Sequence, residues 1–177
     1  MKGYYLEFSD DVIREAILYE KERGGQVYFV HNRVRSIGAF ADWLRRLVPE
    51  ATVAVAHGQM SERLLERAMQ TFLGGDADVL LATAIIENGL DIPNANTLLV
   101  NRADRFGLAQ LYQLRDRVGR SDRLAFAYFL VPPGKHLTTQ RTTRRLHVPL
   151  QCREDHAQGV VGLGEVGLQT GRRAVVL

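Results

Sequence analysis

The stretch Asp-Val-Leu-Leu-Ala-Thr at residues 78–83 decides how the rest of the chain is read. Four apolar residues stand between a carboxylate and a hydroxyl, with no polar alternation and too little length for a helix. Such a run reads as a strand buried on both faces. QVYFV at 26–30, NTLLVN at 96–101 and LAFAYFLV at 124–131 have the same character, and TVAVA at 52–56 is a further strand. Helical spacing fills the gaps between these runs. From about Asp10, which can cap it, to Arg23, the residues Val12, Ile13, Ala16 and Ile17 form a stripe that ends at Gly24-Gly25. A second helix over 36–48 uses Ile37, Phe40, Trp43, Leu44 and Leu47 and stops before Pro49. A third begins at Ser61 and ends before Gly74-Gly75, and a fourth begins at about Gly107. Buried strands alternating with helices predict an α/β fold: a parallel sheet flanked by helices on both faces, with right-handed crossovers.

A chain of 177 residues, 46% hydrophobic, suits one domain of ordinary size. It has no run of about 18 apolar residues, so no membrane span is expected. The opening MKGYYLEFSDD lacks an apolar signal region, which predicts a cytoplasmic protein. Cys152 is the only cysteine, so no disulfide can form within the chain. The net charge is +3, yet residues 1–130 sum to −1 and residues 131–177 to +4. The body is therefore not a polycation, and a phosphate-binding surface on it must be built from placed residues. Residues 1–146 are expected to form the domain. Residues 147–177 lose periodicity, carry scattered glycines and are expected to form an irregular C-terminal tail.

In parallel sheets ligands meet the loops at the carboxyl ends of the strands. That rule points to His31-Asn32-Arg33, His57-Gly58-Gln59, residues 83–91 and the segment after Asn101. In QLYQLRDRVGRSDR, residues 110–123, arginines crowd together with Asp116 and Asp122 among them. If 110–120 is helical, Gln113, Arg117 and Arg120 fall at i, i+4 and i+7, on one face. Two guanidiniums and an amide facing one way suit a triphosphate, whose charge arginine can stabilise during phosphoryl transfer. The alternative is a solvated arginine-rich helix making surface ion pairs. Thr83 ends a buried strand, Gly89 permits a tight turn, and Asp91 before Ile92-Pro93 could bind ribose hydroxyls or simply cap a turn. His31 and His57 read as satisfied loop histidines rather than catalytic bases. Cys152 and His156, two ligands at i and i+4, do not make a zinc site.

Taken together, T-x-x-x-E-x-G-x-D-I-P from Thr83 and Q-x-x-x-R-x-G-R from Gln113 resemble motifs V and VI of superfamily 2 helicases and translocases. VYFVHNRV at 27–34 resembles the first strand of their second RecA-like lobe. AHGQMSERLLERAMQTF and NRADRFGLAQLYQLR are most similar to the transcription-repair coupling factor branch, with the RecG branch next. The resemblance spans about residues 5–146. It implies a RecA-like, helicase C-terminal lobe whose cofactor is ATP. Thr83 would contact the nucleic-acid backbone, with His57, Gly58 and Gln59 along the DNA track and Asn32 and Arg33 near it. Gly89 and Asp91 would line the nucleotide site, Gln113 would sit near the phosphates, and Arg117 and Arg120 would be the catalytic, finger-like arginines. The implied partners are double-stranded DNA, the first RecA-like lobe, and RNA polymerase through domains outside this chain.

Asp116 stands where the family pattern has glycine. On a helix it would share the face of Gln113 and Arg120, repel phosphate and weaken nucleotide engagement; otherwise it points to solvent. No G-x-x-x-x-G-K-[ST] and no D-E-x-[HQD] occurs, so magnesium would be held by the first lobe and the chain is not expected to hydrolyse ATP alone. A RecG-like replication-fork lobe, or a catalytically silent module binding DNA or protein, are the alternatives.

Overall fold

A computed structural model describes residues 2–83, 95–119, 124–133 and 175–176. Among the described residues seven strands form one sheet in the order β3-β4-β2-β5-β6-β1-β7. They are β1 (Lys2–Glu7), β2 (Gln26–His31), β3 (Val53–Ala56), β4 (Val79–Ala82), β5 (Ala95–Asn101), β6 (Phe126–Val131) and β7 (Val175–Val176). The first six pair in parallel, and β7 adds antiparallel to β1 at Tyr4 and Tyr5. Every residue of β2, β4, β5 and β6 is buried, as the unbroken apolar runs require.

Four helices cover the two faces: α1 (Asp10–Glu22), α2 (Val34–Leu47), α3 (Glu62–Leu73) and α4 (Leu108–Arg115). On α1 the buried residues Ile13, Ala16, Ile17 and Glu20 lie at i, i+3, i+4 and i+7, which is one helical face. α1 and α2 share a core with Val27, Phe29, Leu81 and Leu99. α3 and α4 share the other core with Tyr28, Leu80, Leu98 and Phe129. The connections through α1 and α2 carry the chain toward β3. Those through α3 and α4 carry it back toward β6. Opposite directions on opposite faces are what a single crossover hand demands.

Three details depart from the sequence expectation. The first strand of the chain is β1, not β2, because KGYYLE pairs along its whole length with β6. Its tyrosines stack on β6, Tyr4 on Tyr128 and Tyr5 on Phe129, with centroids 5.4 and 5.0 Å apart. α1 takes Ser9 as its N-cap, and Asp10 instead opens the first turn beside Asp11, where negative charge favours the helix dipole. The fourth helix ends at Arg115 rather than running to residue 120. Its last bonds tighten to Arg117 N–H on Leu114 O and Val118 N–H on Arg115 O, both 3.3 Å. Gly119 then turns at φ +77°, a conformation that glycine adopts freely. Its amide reaches Ala95 O at 2.9 Å.

Buried polar groups clamp the amino-terminal edge of the sheet. Gln26 Nε2 donates to Phe72 O and Ala77 O at 2.6 and 2.7 Å, tying β2 to the end of α3. Glu20 is fully buried; it accepts from Thr97 Oγ1 at 2.6 Å and lies 3.4 Å from Arg23. A Cβ on Gly25 would fall on Glu20 Oε1, whose position those partners hold. Gly38, inside α2, has open space around it. Gly25→Ala is therefore expected to destabilise the domain by about 1–3 kcal/mol. Gly38→Ala is expected to stabilise it by about 0.5–1 kcal/mol. Urea unfolding of both variants beside the wild type measures the two shifts.

Candidate nucleic-acid interface

Parallel strands empty their carboxyl ends onto one rim. Because β3, β4, β2 and β5 are neighbours in that order, the residues following each line up side by side. His57-Gly58-Gln59 follows β3, Thr83 follows β4, Asn32-Arg33 follows β2, and Arg102 follows β5. At about 4.8 Å per strand this row is roughly 14 Å wide. All six of the residues proposed to touch nucleic acid thus lie on one edge.

Each loop is held by its own contacts. After β3 the chain closes a tight turn: Met60 N–H donates to His57 O at 3.0 Å, and Gln59 N–H reaches His57 Nδ1 at 3.3 Å. Gly58 and Gln59 are exposed, and His57 is half-buried. Thr83 N–H donates to Ala56 O at 3.2 Å, joining the ends of β4 and β3. The Thr83 side chain is buried, and its Oγ1 has no hydrogen-bond partner among the described residues. A buried hydroxyl left unpaired costs about 1–3 kcal/mol.

His31 anchors the β2 loop. Asn101 Nδ2 donates to His31 Nδ1 at 2.9 Å, so Nε2 carries the proton and donates to Ser36 Oγ at 2.9 Å. The ring stacks on Phe40 at 4.4 Å. Burial, and secondarily the charge of Arg33, hold the imidazole below its ordinary pKa, so it is neutral at pH 7. The contacts place His31 as a structural residue of the rim, and they leave Asn32 and Arg33 exposed.

The arginine segment is elsewhere. Gly119 bonds to Ala95, the first residue of β5, whereas Asn101 at the rim is the last. A seven-residue strand puts roughly 20 Å between those ends. Gln113 is exposed on α4, and Arg117 is half-buried just beyond it. With the helix stopping at Arg115, the regular i, i+4, i+7 face does not extend to residue 120. Gly89, Asp91 and Arg120 lie outside the described residues. Asp116 caps α4 and is exposed, and Arg115 Nη2 lies 2.9 Å from its Oδ1.

The sequence rule pointed to His31-Asn32-Arg33 and to the segment after Asn101, but did not single out Arg102, Arg105 and Phe106 or bring the two together. His31, Asn32, Arg33, Asn101, Arg102, Arg105 and Phe106 line a pocket of about 30 Å³. Its sequence signal is the charged Arg102-Ala103-Asp104-Arg105 directly after a buried strand. Among the described residues no group of three or more metal-ligating side chains gathers. None of the described helices is long and apolar enough to cross a membrane.

Residues 9–122 match the family model for the helicase conserved C-terminal domain. The transcription-repair-coupling factor of Myxococcus xanthus is 53% identical over 148 residues, covering 84% of this chain and 12% of that protein. The protein of that name from Staphylococcus aureus (strain USA300) is 47% identical over 167 residues, 94% of this chain and 13% of its own length. The chain thus spans about an eighth of the curated relatives it matches. Among solved structures, RecG bound to a three-way DNA junction superposes with a TM-score of 0.63 at 31% identity, over 79% of this chain and 19% of RecG. The Escherichia coli DEAD-box protein SrmB gives 0.60 at 19% identity, which speaks for the fold alone.

Two measurements check the rim. Thr83→Val removes the unpartnered hydroxyl and is expected to raise stability by about 1 kcal/mol in urea unfolding. Replacing His31 tests the neutral imidazole. The unfolded chain takes up the histidine proton near pH 6.5 and the native state only at lower pH. Native stability from His31 is therefore complete above about pH 6.5 and lost as the pH falls below it. His31→Gln is expected to show a shallower loss of stability between pH 7 and pH 5 than the wild type.

Proposed function

The chain belongs to the helicase conserved C-terminal domain family, and on that premise we propose that it is the second motor lobe of an ATP-dependent double-stranded DNA translocase in transcription-coupled DNA repair. The observation that carries the reading is Thr83. Its buried hydroxyl has no partner among the described residues, and Thr83 stands on the same rim as Arg33, Asn32 and the His57 turn. Such a row suits a phosphate backbone, which positions a protein without being read for sequence. Identity of about half to proteins named transcription-repair-coupling factor supports the repair setting. In those longer proteins the rest of the chain would supply the first RecA-like lobe and any contact with RNA polymerase.

When bound, ATP would supply the phosphoryl group to be transferred, and its magnesium would be held by the first lobe. The part of this chain is to approach the nucleotide with Gln113, Arg117 and Arg120, and to line its ribose side with Gly89 and Asp91. A guanidinium remains charged at any physiological pH, so Arg117 can neutralise oxygens as the phosphoryl group departs. Thr83, Asn32, Arg33, His57, Gly58 and Gln59 hold the DNA at the other end of β5.

Fusing the chain behind the first lobe of a transcription-repair-coupling factor, in place of that protein's own matching segment, tests the proposal. DNA-stimulated ATP hydrolysis is expected from the fusion. Arg117→Ala is expected to lower its kcat by about 10³-fold. A fusion that binds DNA but never hydrolyses ATP would favour a catalytically silent binding module instead.

A further inference from the structure

We propose that Arg33, Arg102 and Arg105 hold one phosphodiester group of the bound nucleic acid in the pocket between the ends of β2 and β5. This deepens the reading above and rests on its nucleic-acid rim. The pocket of about 30 Å³ has room for two or so waters, enough for phosphate oxygens. Three arginines and two asparagines bring donors to its lining, beside His31 and the apolar Phe106.

Charge decides the sign of the ligand. Asp104 binds Arg102 through Nε and Nη2 at 3.0 and 3.1 Å, which cancels one charge and fixes the plane of the guanidinium. Three of its five N–H groups remain for a ligand. Arg33 and Arg105 have no ion-pair partner among the described residues, so both contribute positive charge to the described lining. His31 is neutral and adds none, and its bond to Asn101 orients that amide at the pocket. An anion rich in oxygens meets all of these donors at once.

Position decides the source of that anion. Arg33 continues the row of Thr83 and His57, and Arg102 extends it by one strand. The segment proposed for the nucleotide lies at the far end of β5. Arg102 also takes a left-handed conformation, φ 57° and ψ 48°, which is costly for a residue with a side chain. Backbone strain of this kind accumulates where a site must be aimed.

The test measures binding of the 177-residue chain to a 20-base-pair duplex by fluorescence anisotropy at increasing salt. Arg105→Ala and Arg33→Ala are each expected to weaken binding severalfold and to flatten the log–log salt slope, by no more than about 0.9, the share of one phosphate contact. The double variant should cost little more than either single one, since both serve the same phosphate. Arg105→Lys, which keeps the charge, should retain the slope. Arg46→Ala, at the far end of α2, should match the wild type. Wild-type affinity and slope in Arg105→Ala overturn the pocket while leaving the motor reading intact. Fully additive losses in the double variant overturn the shared phosphate. If ATP or inorganic phosphate binding falls in Arg105→Ala while DNA binding stays, the pocket is not a nucleic-acid site. A wild-type chain with no salt-dependent DNA binding removes both readings.

Discussion

β2 is the constraint on which the rest of the molecule depends. It hydrogen-bonds in parallel to β4 on one side and β5 on the other, and all six of its residues are buried. Such a strand can carry polar side chains only where they find partners. It does so at its two ends. Gln26 is spent on the carbonyls of Phe72 and Ala77, and His31 on Asn101 and Ser36. The first fastens the amino-terminal edge to α3. The second fixes where Asn32 and Arg33 leave the sheet, and so where the rim begins.

The buried polar groups divide by whether they are satisfied. Gln26, Glu20, Thr97, His31 and Asn101 all have described partners. Each would be expensive without them, and each locks one element against another. Thr83 Oγ1 is the exception among the described residues. A structural role explains the others from contacts within the fold. It does not explain Thr83, whose only described bond at the rim comes from its backbone.

The candidate residues form two groups rather than one. The row proposed for nucleic acid lies at the carboxyl ends of β3, β4, β2 and β5, and Gly119, two residues after Arg117, bonds to the opposite end of β5. β5 is buried along its length and paired on both sides, so it is a stiff link between them.

The sequence alone determined the layers. Unbroken apolar runs such as 78–83 and 96–101 can be stable only between two covers, so a parallel sheet with helices on both faces followed from local pattern. The stripe Ile13, Ala16, Ile17 followed from it too, and motif spacing pointed to Thr83, Asn32, Arg33 and the arginine segment. β1 was not legible, because half-exposed KGYYLE becomes a strand only once β6 offers it a partner far along the chain. The end of α4 at Arg115 was not legible either, since helical spacing continues through Val118, while a bond from Gly119 to Ala95 turns the chain away. Strand order was decided by tertiary packing alone. Which loops stand side by side, that Arg33 meets Arg102 and Arg105, and that Arg117 lies at the other end of β5 depend on contacts between residues distant in sequence, which no local periodicity encodes.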